Sequence, residues 1–473
     1  MSKRQRKRAE KRRHHHGEQR LGRSLATGAG VTVGATLLMG GAAQAATLTV
    51  GSTDDTTGAT DCAVATNTTC TLRDAIEDAN LDPASTIIFA SALSGDTITL
   101  NGTELPQITA YSTVIQGPSD GITIDGDDTS RIFNVSATDA RISGLTVTNG
   151  SIVGRGGGIY LQAGQLTLNN AVVSENDATT DGGGIAVNTG TLTVGSSTIS
   201  GNDAGGNGGG LYTEAGDVGH AGPTAILNST ISGNSSAAYG GGAYLNYQTS
   251  ATVSNSTIYD NGAVDVGGGL YHFGDPNDTG LVVTASTITH NAAARGGGIG
   301  GFGDGLGPQP TLRNTIVAGN TSPDGADVSA TDGTIEAAFS LLGSLDSETT
   351  IAQPSTDILG QDPQLAPLAS NGGLTQTEKP AATSPVVDAG SAFGLTSDQR
   401  ALGRPFDSVV ANAVNGDSTD IGAVELQSSD IAAAPTSTPP TTPSTPATKK
   451  KCKKKKHKRS AESAKKKCKK KKK

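Results

Sequence analysis

The chain contains no tryptophan, and its 473 residues include only seven phenylalanines, eight tyrosines and two methionines. Aromatics at 3 % exclude a core assembled around large rings, and they exclude a propeller, whose blades need more residues and more aromatics per repeat. Lysine is almost missing from the middle, where Lys379 is the only one between residues 47 and 448. Residues 46–448 hold nine basic against 41 acidic side chains, a formal charge of −32. A body this acidic does not bind nucleic acid by neutralising phosphates. Beyond residue 45 no segment is apolar enough to cross a membrane.

The basic residues sit at the two ends. Ten Lys or Arg fall between Lys3 and Arg23, and an uncharged stretch from Leu25 closes on Ala43-Gln44-Ala45. A basic segment, an apolar segment and an A-x-A site describe a secretory signal peptide cleaved after Ala45. An uncleaved anchor is the rival reading, since the run is just long enough to span a bilayer. At the other end, Pro435 to Pro446 stand among Thr and Ser as an extended spacer. Residues 449–473 follow with 17 Lys or Arg against one acid, Glu462. Such a tail has no face to bury, is expected to be disordered, and meets anionic envelope polymers by counterion release. Cys452, His457 and Cys468 could suggest zinc, but the surrounding lysines repel a cation.

What is present in quantity is glycine, 65 residues of it, and it is periodic. Triple glycines begin at Gly156, Gly182, Gly208, Gly240, Gly267 and Gly296. A second signal ends in Asn176, Asn202, Asn234, Asn261, Asn291 and Asn320, each three residues after Val173, Ile199, Ile231, Ile258, Ile288 or Val317. Alternation as in Ile159-Tyr160-Leu161 means strands, and the Thr, Val, Ile and Ser content is poor helix material. These features predict an all-β, right-handed, single-stranded parallel β-helix of about three short strands per turn. Turns ~4.8 Å apart put like residues on like, so the isoleucines form an inward ladder. About nine turns predict a rod of roughly 45 Å. Thr71-Leu-Arg-Asp74 reads as a capping box opening a short helix, Leu72–Asn80, that plugs the first turn. Residues 346–427 leave the repeat and are expected to form an irregular β cap over the last turn. Export permits a Cys62–Cys70 disulfide, with a buried free thiol pair as the alternative.

Three stretches carry a family resemblance. Cys70-Thr-Leu-Arg-Asp-Ala-Ile76 resembles the signature of the CSLREAI domain that opens exported bacterial β-helices. The Gly-Gly-Gly-[Ile/Leu/Ala] and [Ile/Val]-x-x-Asn repeats resemble those of polymorphic outer membrane proteins, whose second motif has Phe where this chain has Ile or Val. Ser384–Gly390, Asp398-Gln-Arg400, Arg404-Pro405 and Asp420–Glu425 resemble the choice-of-anchor Q domain, with Ala401 where that family usually has Gly. The resemblance implies a pectin-lyase-like solenoid on a secreted or envelope-associated protein, adhesin-like in activity. Those outer membrane relatives end in a barrel where this chain ends in lysines, so their export route does not carry over. The chain then divides into a signal peptide (1–45), an N-terminal cap (46–84), β-helix repeats (85–345), a C-terminal cap (346–427), a linker (428–448) and the Lys-rich tail (449–473).

The same fold serves polysaccharide lyases and hydrolases, so the site must decide. A lyase typically needs Arg or Lys as its base. Within the coil there are only Arg131, Arg141, Arg155, Arg295 and Arg313, and Arg155 and Arg295 lie five turns apart. No carboxylate pair forms a recognisable hydrolase constellation. The sequence therefore reads as a binding protein, with no catalytic residue and no cofactor assigned and enzymatic action as the alternative. The binding candidates are Tyr160, Tyr212, Tyr244 and Tyr271, which stand two residues after triple glycines and point outward. They predict either a platform for sugar rings or a stacked ladder that stabilises neighbouring strands. Asp125, Asp127 and Asp128 form an acidic turn that could hold calcium or stay solvated. His220, His272 and His290 fall on different turns.

Overall fold

The computed structural model describes residues 45–431, apart from 59–61, 214–221, 247–249, 274–279, 302–308, 325–326, 331–332 and 353. The expected signal peptide up to residue 44, most of the linker, the tail with Cys452, His457 and Cys468, and His220 lie outside the described residues.

Every pairing between its named strands is parallel, and the strands form sheets of twelve, eleven, eight and five. One turn runs Gln165–Asn169, Val172–Ser174, the two-residue Asp177–Ala178, and Ile185–Val187. The next turn begins at Thr191–Gly195, paired in register with Gln165–Asn169. The expected three strands per turn are present, with a short fourth. Val173, Ile199, Ile231, Ile258, Ile288 and Val317 pair in one unbroken row and are buried. Each such side chain contributes roughly 1.5–3 kcal/mol of burial, which is how a chain nearly without aromatics builds a core. Longer repeats keep this register because their extra residues come between the same two strands of the turn, as between Leu211–Thr213 and Thr224–Leu227.

The asparagines link the turns along a buried column. Asn176, Asn202, Asn234, Asn261 and Asn291 each donate from Nδ2 to Oδ1 of the next asparagine, at 2.8–2.9 Å. Each Nδ2 also reaches a backbone carbonyl one turn back, as Asn234 does to Ile199 at 3.0 Å. The column ends at Asp327, whose Oδ1 accepts from Asn320 while its Oδ2 accepts from the Ser344 N–H and hydroxyl. A carboxylate suits only the last rung, where donors approach from both sides. The triple glycines sit against this column. Gly208 has φ +65°, and a Cβ on Gly209 would meet the Ser235 carbonyl oxygen at 2.2 Å, so no larger residue fits there.

The helix Leu72–Leu81 opens with the full capping box of Thr71 and Asp74. It buries Leu72, Ala75, Ile76 and Ala79 in the same core as Leu48, Val50 and Ile87. Cys62 and Cys70 are joined by a disulfide beside it, and Arg73 pairs with the buried Asp55 at 2.7 Å.

The C-terminal region differs from expectation. Coil strands continue past residue 345 to Thr350–Ile351 and Ile358–Leu359. Residues 363–431 then lie along the flank of the eleven-stranded sheet. Thr230 donates to the Gln376 carbonyl, Thr257 to Gln399, and Asn314 to the Asp420 carbonyl. The physical reason is that the outward side of that sheet carries threonines and asparagines whose polar groups need partners once covered. The segment supplies them over several turns.

Candidate functional site

Tyr160, Tyr212, Tyr244 and Tyr271 share one outward row of the eight-stranded sheet, with Ala186 between the first two and Gly300 after the last. The Tyr212 and Tyr244 rings stack at 5.1 Å and 14°, and those of Tyr244 and Tyr271 at 4.9 Å and 6°. Arg155 lies over Tyr212 at 4.9 Å and Arg131 over Tyr160 at 5.0 Å. Arg155 is itself held by Asp181 at 3.0 Å. Tyr212 is 1 % exposed and Tyr244 8 %. The rings of Tyr212, Tyr244 and Tyr271 stack along the rod with their faces toward each other, which is the arrangement of the ladder alternative. Tyr160, partly buried, stacks on no other ring among the described residues.

Asp125, Asp127 and Asp128 close a turn. The Asp125 Oδ1 accepts from the Asp127 N–H and from the Asn149 side chain, while Asp127 and Asp128 take positive φ. Among the described residues no three His, Cys, Asp or Glu side chains are grouped to hold a metal. His272 is buried with Nδ1 on the Leu245 carbonyl, and burial pushes its pKa down to about 4.

A different place combines exposed rings with charge. The corner between the twelve- and eleven-stranded sheets is a column of left-handed residues, Asn170, Ser196, Asn228, Asn255, Ala285, Asn314 and Phe339, all with φ between 46° and 51°. Asparagine adopts this conformation readily. A bulky aromatic does so at a cost of roughly 1–2 kcal/mol, which the surrounding structure must impose. Phe339 packs edge-on against Phe393 at 6.1 Å, and Phe393, at φ +47°, comes from the C-terminal segment. Arg313 lies over the Phe393 ring at 5.8 Å and makes no ion pair among the described residues. With Glu336, Thr311 and Thr356 these side chains line a cleft of about 370 Å³, and Phe393 is 40 % exposed. Of these residues the sequence singled out only Arg313, as one of five coil arginines weighed as a lyase base, and not as part of a binding site. The signal that could have found them is Phe339 standing where the preceding turns place Asn314, Ala285 and Asn255.

The C-terminal segment is fastened by buried charge. Arg400 pairs with Asp398 at 2.9 Å and Arg404 with Glu425 at 3.1 Å, all four side chains fully buried. Asp388 and Asp420 join them through backbone N–H groups. Four carboxyls against two guanidinium groups leave an excess of negative charge. Burial pushes Asp420 up to about 6 and Glu425 up to about 8. Glu378, farther along the segment, is pushed up to about 7 by burial.

A family model described as "Right handed beta helix region" matches residues 97–336, just over half of the chain. No curated protein matches it. Among solved structures the chain is similar to that of pectate lyase Pel9A, at 14 % identity and a TM-score of 0.44, over 81 % of this chain and 98 % of that one. The expectation that the chain is not an enzyme is corrected here, because a solved structure to which it is similar is that of an enzyme. At this identity and score the similarity assigns the chain no activity.

Proposed function

Because this chain belongs to the right-handed beta helix region family, we propose that it is a glycan-binding, adhesin-like protein of the secreted or envelope-associated kind, with its ligand in the Arg313–Phe393 cleft. The observation that carries this reading is Phe339, a bulky ring held at φ +51° in a column otherwise made of small or amide residues. Strain of that kind persists where neighbours impose it. Here it sets an aromatic edge beside an exposed ring, with a cation above and a carboxylate near. Exposed rings stack on sugar faces, and Arg and Glu hydrogen-bond hydroxyls. The net charge of the body disfavours polyuronates, so neutral glycans fit best. The Lys-rich tail would hold the protein to anionic envelope polymers, with the Pro/Thr spacer keeping the acidic body clear of them.

The test is a glycan array probed with the whole protein and with Phe393→Ala and Arg313→Ala. Losing an aromatic stacking partner is worth about 1–1.5 kcal/mol, so binding should fall roughly tenfold while circular dichroism stays unchanged. Both variants binding within twofold of the parent would overturn the cleft. The same mixtures are assayed for shortened chains, so cleavage is scored beside binding. For the tail, full-length protein should stay on envelopes and be released by salt, whereas a chain ending at Ala447 should stay in solution.

A further inference from the structure

We propose that the C-terminal segment is a proton-gated latch, in which neutral Glu378 holds the segment on the coil and ionised Glu378 lets it lift, carrying the Phe393 wall away from the cleft. The consequence for ligand rests on the glycan reading above, but the lifting itself does not.

The geometry is that of a carboxyl buried without a fixed cation. The Glu378 side chain is 1 % exposed. One carboxyl oxygen accepts from the Thr289 hydroxyl, and the other, Oε1, has no hydrogen-bond partner. From the coil, the groups facing it are Thr289 and His290 on one turn, with Tyr259 and the adjoining Asp260 on the turn before. His290 Nδ1 stands 3.6 Å from Oε1 and carries charge only when protonated. Its ring lies 5.0 Å from that of Tyr259, whose phenol is pushed up by burial and by the Glu378 and Asp260 charges. On the segment itself, Lys379 is turned away to Asp430 at 3.2 Å. An ionised Glu378 would therefore be a buried, half-bonded charge, which proteins avoid by staying protonated or by opening.

Beside the Arg404–Asn255 bond, the Arg313–Phe393 contact and the packing of Val386 and Ile421 on Ile316 and Leu341, the segment's other holds on this flank are neutral hydrogen bonds. These include Thr230 to Gln376, Thr257 to Gln399 and Asn255 to Ser397. Phe393 reaches the cleft from the same segment, so lifting it removes one wall. The sign follows from linkage. A carboxyl raised from 4.5 to about 7 when closed favours the closed form below the lower value and loses that preference as pH rises through the higher one. Between pH 5 and 8 this raises the open population roughly 70-fold.

The experiment is hydrogen exchange on the whole protein at pH 5 and pH 8, corrected for intrinsic rates, read on the amides of Ser391, Gly422 and Ala423. All three donate across to the coil, to Asn314 and Thr287. Opening should rise on the order of 50–100-fold in the parent and stay flat in Glu378→Gln, which keeps an acceptor for Thr289 but cannot ionise. Asp420 and Glu425 titrate in the same segment, so the difference between parent and variant is the measure. Equal pH dependence in both, or none in the parent, overturns the latch. Should Glu378→Gln not fold, Thr289→Val removes the hydroxyl that favours the charged form, and the midpoint should move to higher pH. An unmoved midpoint also overturns it. Glycan affinity measured at the same two pH values should fall at pH 8 in the parent alone. Intact latch behaviour without that fall refutes the cleft reading and leaves the latch.

Discussion

Replacing Asn234 tests whether the buried amide column holds the turns together. Its Oδ1 accepts from the Asn202 N–H at 3.0 Å and from Asn202 Nδ2 at 2.8 Å. Its Nδ2 donates to the Ile199 carbonyl at 3.0 Å and to Asn261 Oδ1 at 2.8 Å. Asn234→Ala removes all four bonds and strands their partners in the interior. At ~1 kcal/mol for each net bond, with a further penalty where a buried group finds no substitute, the cost is about 3–6 kcal/mol. Asn234→Asp separates hydrogen bonding from packing, since it keeps the shape and the acceptor. It puts an oxygen where Nδ2 stood, against two other acceptors, with no cation in reach. At pH 7 it should therefore be at least as damaging as the alanine variant. Its carboxyl pKa is raised on folding, so its deficit should shrink as pH falls. The assay is guanidinium unfolding followed by circular dichroism at pH 5 and pH 7. Local exchange at Ile199 and Asn234 belongs beside it, because stacked repeats can open independently. An Asp variant more stable than the Ala variant at pH 7, or an Ala variant costing under ~1 kcal/mol, would refute the column as a source of stability.

Two other outcomes are expected. Tyr244→Ala, which removes the ring between Tyr212 and Tyr271, should destabilise the coil by about 3–5 kcal/mol without reducing glycan binding; a loss of ligand without loss of stability would favour the platform reading. His272, held near 4 by burial, contributes stability above the ordinary imidazole value that is lost as pH falls toward 4, about 3 kcal/mol in all. Acid unfolding of His272→Gln should lack that component, and an unchanged profile would count against it.

The repeat was readable from the sequence because stacking makes every turn a copy of its neighbour. Once the isoleucines and asparagines are spaced alike, register and inward row follow, and so does the cap helix from Thr71 and Asp74. The tyrosine row was readable as a row, but not the direction of its rings. A side chain that points outward can still lie along the rod, and the neighbour one strand away decides which. The same limit hid the course of residues 363–431. Gln399 meets Ser229 and Thr230, 170 and 169 residues earlier, and no local pattern encodes such a contact.

The sequence by itself therefore determined the coil, its core row, its polar column and the covering of its first turn, since each rests on periodicity or on neighbours a few residues apart. Only the tertiary structure decided that the C-terminal segment runs along the flank, and that Phe393 closes a cleft with Arg313 and Phe339. It also decided that Glu378 is buried beside Thr289. These arise where two unrelated stretches meet, and their energies depend on distances that exist only after the chain has folded.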